Sequence, residues 1–306
     1  MSLKPKTKKA LNFLWIIIGV LLSVVLLLLG LDYFQVRGCN GSILSSGERR
    51  TYLLHVPESY QPEEQVPLVI SLHGFADWPT HHMMVTGWNQ VADENGFLVV
   101  YPCGTGFPKR WRAGGPADPQ PDIQFISDLI DQLERDYNID ENRIYVNGLS
   151  NGGGMSFALT CKLSERIAAF AGVAGAYVLP WEECQPARPV PAILFHGTAD
   201  GIVPFTGGED QGPGITLPDI TGWVGTLAER NGCSAEPEEI PAQGEVSGKR
   251  YTDCDQDAEV IFYVIEGGGH AWPGGGYLPK WIVGHTTQDI NATRAMWEFF
   301  KQHPMQ

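Results

Sequence analysis

Short apolar runs recur along the chain from about residue 66, and several are followed at once by Gly, Pro or Asn. They lack the alternation of apolar and polar residues that marks a strand with one solvated face. They therefore indicate strands buried on both faces of a mostly parallel sheet. The runs are Val66–Leu72, Phe97–Tyr101, Arg143–Val146, Ala168–Ala174, Val190–Phe195 and Val260–Ile265.

Amphipathic stretches lie between these runs, and their apolar residues repeat at helical spacing. Strands that alternate with helices predict βαβ crossovers, and hence a doubly wound α/β domain with helices on both faces of the sheet. We expect one such domain over residues 46–306, with its functional residues at the carboxyl ends of strands. The predicted helical stretches are Met83–Asn95, Asp122–Tyr137, Gly153–Leu163, Leu217–Asn231 and Asn291–His303.

The amino-terminal segment has a different pattern. Residues 11–31 are 21 consecutive residues without a charge, and four lysines precede them. A helix of about 20 apolar residues crosses a membrane, so we predict a cytoplasmic basic tail (1–10), a transmembrane signal anchor (11–31) and a linker (32–45). The body would then lie outside the cytoplasm. A cleaved signal peptide, which would make the body secreted, and a lipid anchor on Cys39 are the alternatives.

Charge separates the same two parts of the chain. The net charge is −14, from 21 basic and 35 acidic residues, which argues against nucleic acid as a partner. Residues 1–38 hold five of the basic residues and one of the acidic ones. Subtracting these leaves 16 and 34, a net charge of −18 for the remaining 268 residues.

Six cysteines in an exported body favour disulfide bonds over metal binding or catalysis, and there is no C-x-x-C pair. Sequence alone allows fifteen connectivities among six cysteines. Pairing of neighbours along the chain is the simplest of them. It gives Cys161–Cys184 and Cys233–Cys254, and it leaves Cys39 with Cys103.

Gly148-Leu149-Ser150-Asn151-Gly152 is the one G-x-S-x-G sequence in the chain. It follows a predicted strand and precedes a predicted helix, which is the context of a nucleophile elbow. Glycines on both sides allow the tight turn that exposes a serine hydroxyl at the edge of the sheet. Ser150 could instead be a simple helix N-cap, but a cap does not require both glycines. Ser150 is therefore the candidate nucleophile.

A serine nucleophile needs a general base, and the base needs a carboxylate that orients it. In α/β-hydrolases the order along the chain is serine, acid, histidine. Asp200 closely follows the predicted strand Val190–Phe195, and His270 follows Val260–Ile265. An oxyanion hole would take the backbone amide of Asn151, next to the nucleophile, and that of Phe75, in the loop after Val66–Leu72.

Five sequence blocks in one order resemble the polyhydroxybutyrate depolymerase and feruloyl esterase group, in the first carbohydrate-esterase family of α/β-hydrolases. The resemblance covers about residues 48–300, and it places the family's catalytic triad on Ser150, Asp200 and His270. The blocks are Leu72-His73-Gly74, Trp88–Ala92 with Gly96–Pro102, Gly148–Gly153, Phe195–Asp200 and Gly268–Gly275.

The resemblance implies a serine carboxylester hydrolase that acts on hydroxyacyl or aryl esters, of feruloyl or acetyl type, without a metal or organic cofactor. A serine peptidase on the same fold is the alternative enzyme. A catalytically silent, membrane-tethered protein that binds carbohydrate or polymer is the alternative from another class. Because Trp78, Trp111 and Trp272 lie in predicted strand-end loops, we expect them to line an aromatic substrate pocket.

Overall fold

The computed structural model describes residues 15–25, 27, 30, 37–209, 215–276 and 278–306. Residues 15–25 are helical, and residues 38–306 form one compact unit. Among these residues there is no helix both long enough and apolar enough to cross a membrane. The predicted membrane segment, residues 11–31, and the predicted tail, residues 1–10, lie partly or wholly outside the described residues.

A ten-stranded sheet forms the centre of the compact unit. Its order is β1-β2-β4-β3-β5-β6-β7-β12-β11-β10, and the six strands from β4 to β12 in this order are parallel. Two further short strands, β8 (Gly208–Glu209) and β9 (Thr216–Leu217), form a separate pair. The sheet strands are β1 (Gly41–Ser45), β2 (Glu48–His55), β3 (Val66–Leu72), β4 (Leu98–Pro102), β5 (Ile139–Leu149), β6 (Ala169–Val173), β7 (Ala192–Gly197), β10 (Glu238–Gln243), β11 (Val246–Tyr251) and β12 (Val260–Ile265).

Helices cover both faces of the sheet, as predicted. One face packs against α3, α4 and α5 through residues such as Ile126, Phe157 and Val224. The other face packs against α1, α2 and α7, with Trp297 and Phe300 in its core. Seven helices follow residue 37 in the described part of the chain: α1 (Pro79–Thr86), α2 (Trp88–Asn95), α3 (Gln120–Asp136), α4 (Asn151–Leu163), α5 (Ile220–Arg230), α6 (Lys280–Val283) and α7 (Ala292–Phe300).

Antiparallel strands at both edges extend the predicted parallel sheet. β1 and β2 form a hairpin beside β4, while β10 and β11 form a second hairpin beside β12. Strand β1 precedes residue 46, where the sequence analysis began the domain. The sheet therefore takes in part of the segment that was predicted to be a linker.

Two disulfide bonds agree with the neighbour pairing, and the third does not. Cys161 is bonded to Cys184, and Cys233 to Cys254. Cys39 and Cys103 are both free thiols, so their predicted bond is wrong. The Cys39–Cys103 pair was predicted only because these two cysteines remained after the others had been paired. Each of the two bonds that form joins cysteines close in sequence, 23 and 21 residues apart. Burial raises the pKa of the Cys103 thiol to about 11, so that thiol is protonated at neutral pH.

Candidate active site

Ser150 lies in a sharp turn between β5 and α4. Its backbone has φ 57° and ψ −119°, a conformation that costs energy for a residue with a side chain. A Cβ at Gly148 would lie 2.3 Å from the backbone of Gly152, and one at Gly152 would lie 2.2 Å from the Leu72 carbonyl oxygen. Both glycines are therefore required by close backbone contacts. The geometry is that of a nucleophile elbow.

Asp200 and His270 are brought together by the loops after β7 and β12. His270 Nδ1 donates a hydrogen bond of 2.8 Å to Asp200 Oδ2. The other carboxylate oxygen, Oδ1, accepts from the amides of Ile202 and Val203 at 2.8 and 2.9 Å. Both carboxylate oxygens are satisfied, and both residues are buried. The imidazole of His270 is therefore held in one tautomer, with its proton on Nδ1.

Two opposing effects act on the pKa of Asp200. Burial raises it, but the hydrogen bond from His270 and the electrostatic interactions with His270 and His196 lower it by more. The net pKa lies below the ordinary value for an aspartate. Asp200 is therefore a carboxylate at neutral pH, as an orienting acid must be.

His196 is a second histidine beside Asp200 that the sequence analysis did not consider. Its Nε2 donates to the Val203 carbonyl oxygen at 2.9 Å and lies 3.5 Å from Asp200 Oδ2. Burial lowers the pKa of His196, so its imidazole is neutral at neutral pH. Through Val203 it fixes the loop whose amides bind the carboxylate. The feature of the sequence that could have identified His196 is its position in β7, four residues before Asp200.

Ser150 lies on the same sheet edge as the Asp200–His270 pair. The strands that carry these residues, β5, β7 and β12, are separated only by β6 and run in parallel. The Ser150 amide donates to the carbonyl of Val173 at the end of β6. Ser150 Oγ is not hydrogen-bonded to His270 in this arrangement of the described residues. Such bonds are often long in substrate-free enzymes and shorten in the complex.

The two predicted oxyanion donors flank the serine. A Cβ on Gly74 would lie 3.6 Å from the Ser150 side chain, which shows how closely the loop that carries Phe75 approaches the nucleophile. Within the described part of the chain, the amides of Phe75 and Asn151 donate no hydrogen bond. Both amides are therefore available to a ligand beside Ser150.

Side chains beneath the site hold the neighbouring loops in place. Asn151 Oδ1 accepts from the Trp111 amide at 2.7 Å, and Asn151 Nδ2 donates to the Trp111 carbonyl at 3.0 Å. His73 donates to the Gly74 carbonyl and accepts from the Gly104 amide. The segment after β4 is thus tied to the elbow and to the oxyanion loop. These hydrogen bonds join loops that are far apart in sequence, so the sequence pattern could not predict them.

A buried polar network lies below the elbow. Asn147 Oδ1, in β5, accepts from Ser71 Oγ in β3 at 2.8 Å and from Trp88 Nε1 at 3.1 Å. His82 Nε2, on α1, donates to Ser71 Oγ at 3.0 Å. Burial lowers the pKa of His82 to about 3, so its imidazole is neutral. The network joins β3, β5, α1 and α2, and it thereby stiffens the strand that carries the nucleophile.

The predicted aromatic pocket is wrong for two of its three tryptophans. Trp272 is 1% exposed and packs edge-on against His82, while its Nε1 donates to Thr293 Oγ1 at 2.9 Å. Trp111 is also buried, and its Nε1 donates to the His73 carbonyl. The loop after His270 turns inward, so closeness in sequence did not mean closeness to the opening. Only Trp78 is half-exposed, and it stacks on His81.

Other apolar side chains are exposed on the strand-end loops. Phe75 follows β3 and is 56% exposed, and Ile202 follows Asp200. Trp281, in α6, is 86% exposed, and the carboxyl end of this helix packs against Gly269, since a Cβ there would lie 2.1 Å from the Val283 carbonyl oxygen. The sequence analysis missed Ile202 and Trp281. Both lie on the site's side of the sheet. In the part of the chain that the structure describes, no group of three or more His, Cys, Asp or Glu side chains is arranged to hold a metal ion.

The architecture and the Ser150, Asp200 and His270 positions are those of the α/β-hydrolase class. The chain belongs to the phospholipase/carboxylesterase family, whose model matches residues 55–213. The sequence-based assignment to α/β-hydrolase esterases is thereby confirmed.

Similar proteins carry esterase names. The chain is 28% identical over 280 residues to the putative esterase NocK of Nocardia uniformis, which covers 84% of this chain and 80% of that protein. It is 29% identical to a bifunctional acetylxylan esterase/xylanase of Neocallimastix patriciarum, covering 74% of this chain, and to feruloyl esterase B of Piromyces equi, covering 72%. The chain spans only 31% and 42% of the length of these last two proteins.

Solved structures give the same fold. An acetyl xylan esterase from Aspergillus awamori aligns with a TM-score of 0.60 at 15% identity, covering 85% of this chain and 98% of that one. A thermostable esterase aligns with a TM-score of 0.57 at 19% identity, covering 89% and 64%.

Proposed function

We propose that the chain hydrolyses carboxylic esters by acyl transfer through Ser150. The observation that carries this proposal is the buried 2.8 Å hydrogen bond between His270 and Asp200, on the sheet edge where Ser150 occupies a strained turn. A protein that only binds carbohydrate has no use for an oriented imidazole beside a strained serine. The family and the names of its relatives agree with an esterase.

The reaction has two halves. Ser150 Oγ attacks the ester carbonyl carbon while His270 Nε2 takes its proton, and the amides of Phe75 and Asn151 stabilise the tetrahedral oxyanion. The intermediate expels the alcohol, which takes the proton back from His270. Water then attacks the acyl-enzyme carbonyl while His270 Nε2 takes its proton. The second tetrahedral intermediate collapses by breaking its bond to Ser150 Oγ, which takes that proton from His270, and the carboxylic acid is released. Asp200 keeps the imidazole oriented and stabilises its charged form throughout.

We propose aryl and short acyl esters as the substrates, with feruloyl and acetyl esters first among them. Two of the relatives are named as feruloyl and acetylxylan esterases. Phe75 and Trp281 expose apolar rings on the site's side of the sheet, where an aryl acyl group could pack. The net charge of −18 over residues 39–306 disfavours anionic substrates, and salt should weaken that effect.

A panel of esters tests the reaction and the substrate class together. We expect the purified protein to hydrolyse methyl ferulate and p-nitrophenyl acetate, with kcat/KM at least tenfold higher than for p-nitrophenyl palmitate. A serine-directed phosphonate should abolish the activity and label Ser150 alone, as read by peptide mass spectrometry.

Each other result of this panel has a definite meaning. Hydrolysis of peptide amides in preference to esters would favour the serine peptidase. Absence of both activities, with no phosphonate label, would favour the silent binding protein. Labelling of a different serine would refute Ser150 as nucleophile, even if esters were cleaved.

We also propose that the body functions in an oxidising compartment, anchored by residues 11–31. The bonds Cys161–Cys184 and Cys233–Cys254 support the compartment, because disulfides persist outside the reducing cytosol. The anchor rests on the uncharged run and its preceding lysines. We expect intact-mass analysis of the membrane fraction to find the amino terminus uncleaved. A new terminus between Asp32 and Gly41 would replace the anchor with secretion, or with lipidation if Cys39 were the modified first residue.

A further inference from the structure

A cavity of about 400 Å³ lies away from the catalytic residues, between α4, α5 and the chain segment that precedes β7. Its walls include Phe157 and Thr160 of α4, Phe170 near the start of β6, and Val190 just before β7. Phe170 and Val190 lie at the amino ends of their parallel strands, whereas Ser150 lies at the opposite edge, after the carboxyl end of β5. The described residues that line this cavity include none of the triad. Its volume lies within the range of small-molecule sites, about 300–1,000 Å³.

Two arginines supply all the formal charge among the described residues that line this cavity. Arg188 donates hydrogen bonds to the carbonyls of Pro189, Ile167 and Ala168, and Arg230 donates to the Cys184 carbonyl. Among the described residues, neither forms an ion pair with a carboxylate. Two arginines at one cavity, without an ion pair in the described part of the chain, favour an anion over a cation as its ligand.

The remaining walls favour a flat, apolar ligand. Trp181 lines the cavity and continues a stack of rings, with Trp223 at 5.2 Å and Tyr177 stacked on Trp223 at 3.7 Å. Phe157 meets the Trp181 ring edge-on at 5.0 Å. The guanidinium of Arg230 lies 5.3 Å from the centre of the Trp181 ring. A ring and a cationic donor are thus next to each other at one wall.

We propose that this cavity binds a small aromatic monocarboxylate. The aromatic ring would pack against Trp181, which is half-exposed, and the carboxylate would accept charge-assisted hydrogen bonds from Arg230, with Arg188 adding positive potential. The Cys161–Cys184 disulfide fixes the segment after Trp181 to α4, so the walls are largely preformed. This proposal does not depend on ester hydrolysis by Ser150.

Binding of cinnamate, followed by isothermal titration calorimetry, tests the proposal on the intact protein. We expect saturable binding with a Kd on the order of 0.1–1 mM. The neutral isostere cinnamamide should bind at least tenfold more weakly, because it lacks the charge that the arginines favour. Raising the salt concentration should weaken cinnamate binding and leave cinnamamide binding unchanged.

Variants locate the binding site. Arg230→Gln should weaken cinnamate binding about five- to tenfold, while Arg135→Gln, on the exposed face of α3, should not change it. Arg230 is exposed and makes a single hydrogen bond, so its variant should fold, which a thermal melt checks. Arg188→Lys provides a second test with the charge retained, and binding should persist there.

Three results would overturn the proposal: equal binding of cinnamate and cinnamamide, an Arg230→Gln variant that binds like the unchanged protein, or no binding at 10 mM. The second of these would mean that the acid binds elsewhere, the catalytic site included. The ester panel is measured separately, so failure here and failure of the catalytic proposal are distinguishable.

Discussion

Replacement of Ser150 by Ala is expected to lower kcat by about 10⁴-fold or more while the fold survives. The substitution removes the proposed nucleophilic oxygen but leaves the proposed oxyanion donors, the amides of Phe75 and Asn151, and the Asp200–His270 pair in place. Alanine at φ 57° is no more strained than serine. The measurement is steady-state hydrolysis of p-nitrophenyl acetate, with circular dichroism to verify folding.

Ser156→Ala is the matched control for this experiment. Ser156 is a buried serine in α4, the helix that follows Ser150, and its Oγ donates to the Gly152 carbonyl, four residues earlier. Its removal should leave kcat within about threefold, since it touches no reacting atom. Comparable losses in both variants would indicate damage to α4 and would contradict a special role for Ser150.

A double variant tests whether the three residues act as one unit. Asp200→Asn alone should lower kcat by about 10⁴-fold, because an amide cannot hold His270 in the same tautomer. Once Ser150 has been removed, Asp200→Asn should cause little further loss. Additive losses would mean that Asp200 contributes by another route, such as the stability of its loop.

The parallel core was predictable from sequence because burial on both faces leaves a distinctive pattern. Val66–Leu72 is buried along its whole length and coincides with β3. The edge strand β2, by contrast, begins Glu48-Arg49-Arg50 and alternates in exposure. Polar loops have similar sequences, so β2 could not be recognised as a strand from its sequence. Strand β5 begins at Ile139, earlier than the predicted run Arg143–Val146. The prediction missed this part of the strand because Asp140, Glu141 and Asn142 are polar and at least partly exposed.

The strand-end positions of Ser150, Asp200 and His270, the proposed triad, were predictable for a different reason. Each follows a strand, and parallel strands place their carboxyl ends at one edge, so chain order and strand ends were sufficient. Contacts made after the chain leaves the strand were not predictable. His196 against Asp200 and Asn151 against Trp111 both depend on how loops fold back. The inward turn after His270, which buries Trp272, belongs to the same group.

Replacement of Trp272 by Ala is expected to destabilise the protein by about 3–5 kcal/mol, in contrast to the pocket role that its sequence position suggested. The indole fills a fully buried volume beside His82, and its removal also leaves Thr293 Oγ1 without the Nε1 donor. Trp272→Phe keeps most of the packing and loses the hydrogen bond, so its cost should be about 1–3 kcal/mol. Urea unfolding followed by circular dichroism measures both.

Trp281→Ala provides the opposite case, because this indole is 86% exposed on α6, the helix whose carboxyl end packs against Gly269. The free energy of unfolding of this variant should differ from that of the unchanged protein by less than about 0.5 kcal/mol. If the ring contacts an aryl acyl group, kcat/KM for methyl ferulate should fall about three- to tenfold, with a smaller change for p-nitrophenyl acetate. A stable Trp272→Ala variant with a selective loss on ferulate would contradict the structural role of Trp272 and place this buried indole at the substrate. Unchanged kinetics of Trp281→Ala on methyl ferulate would place the exposed indole outside the site.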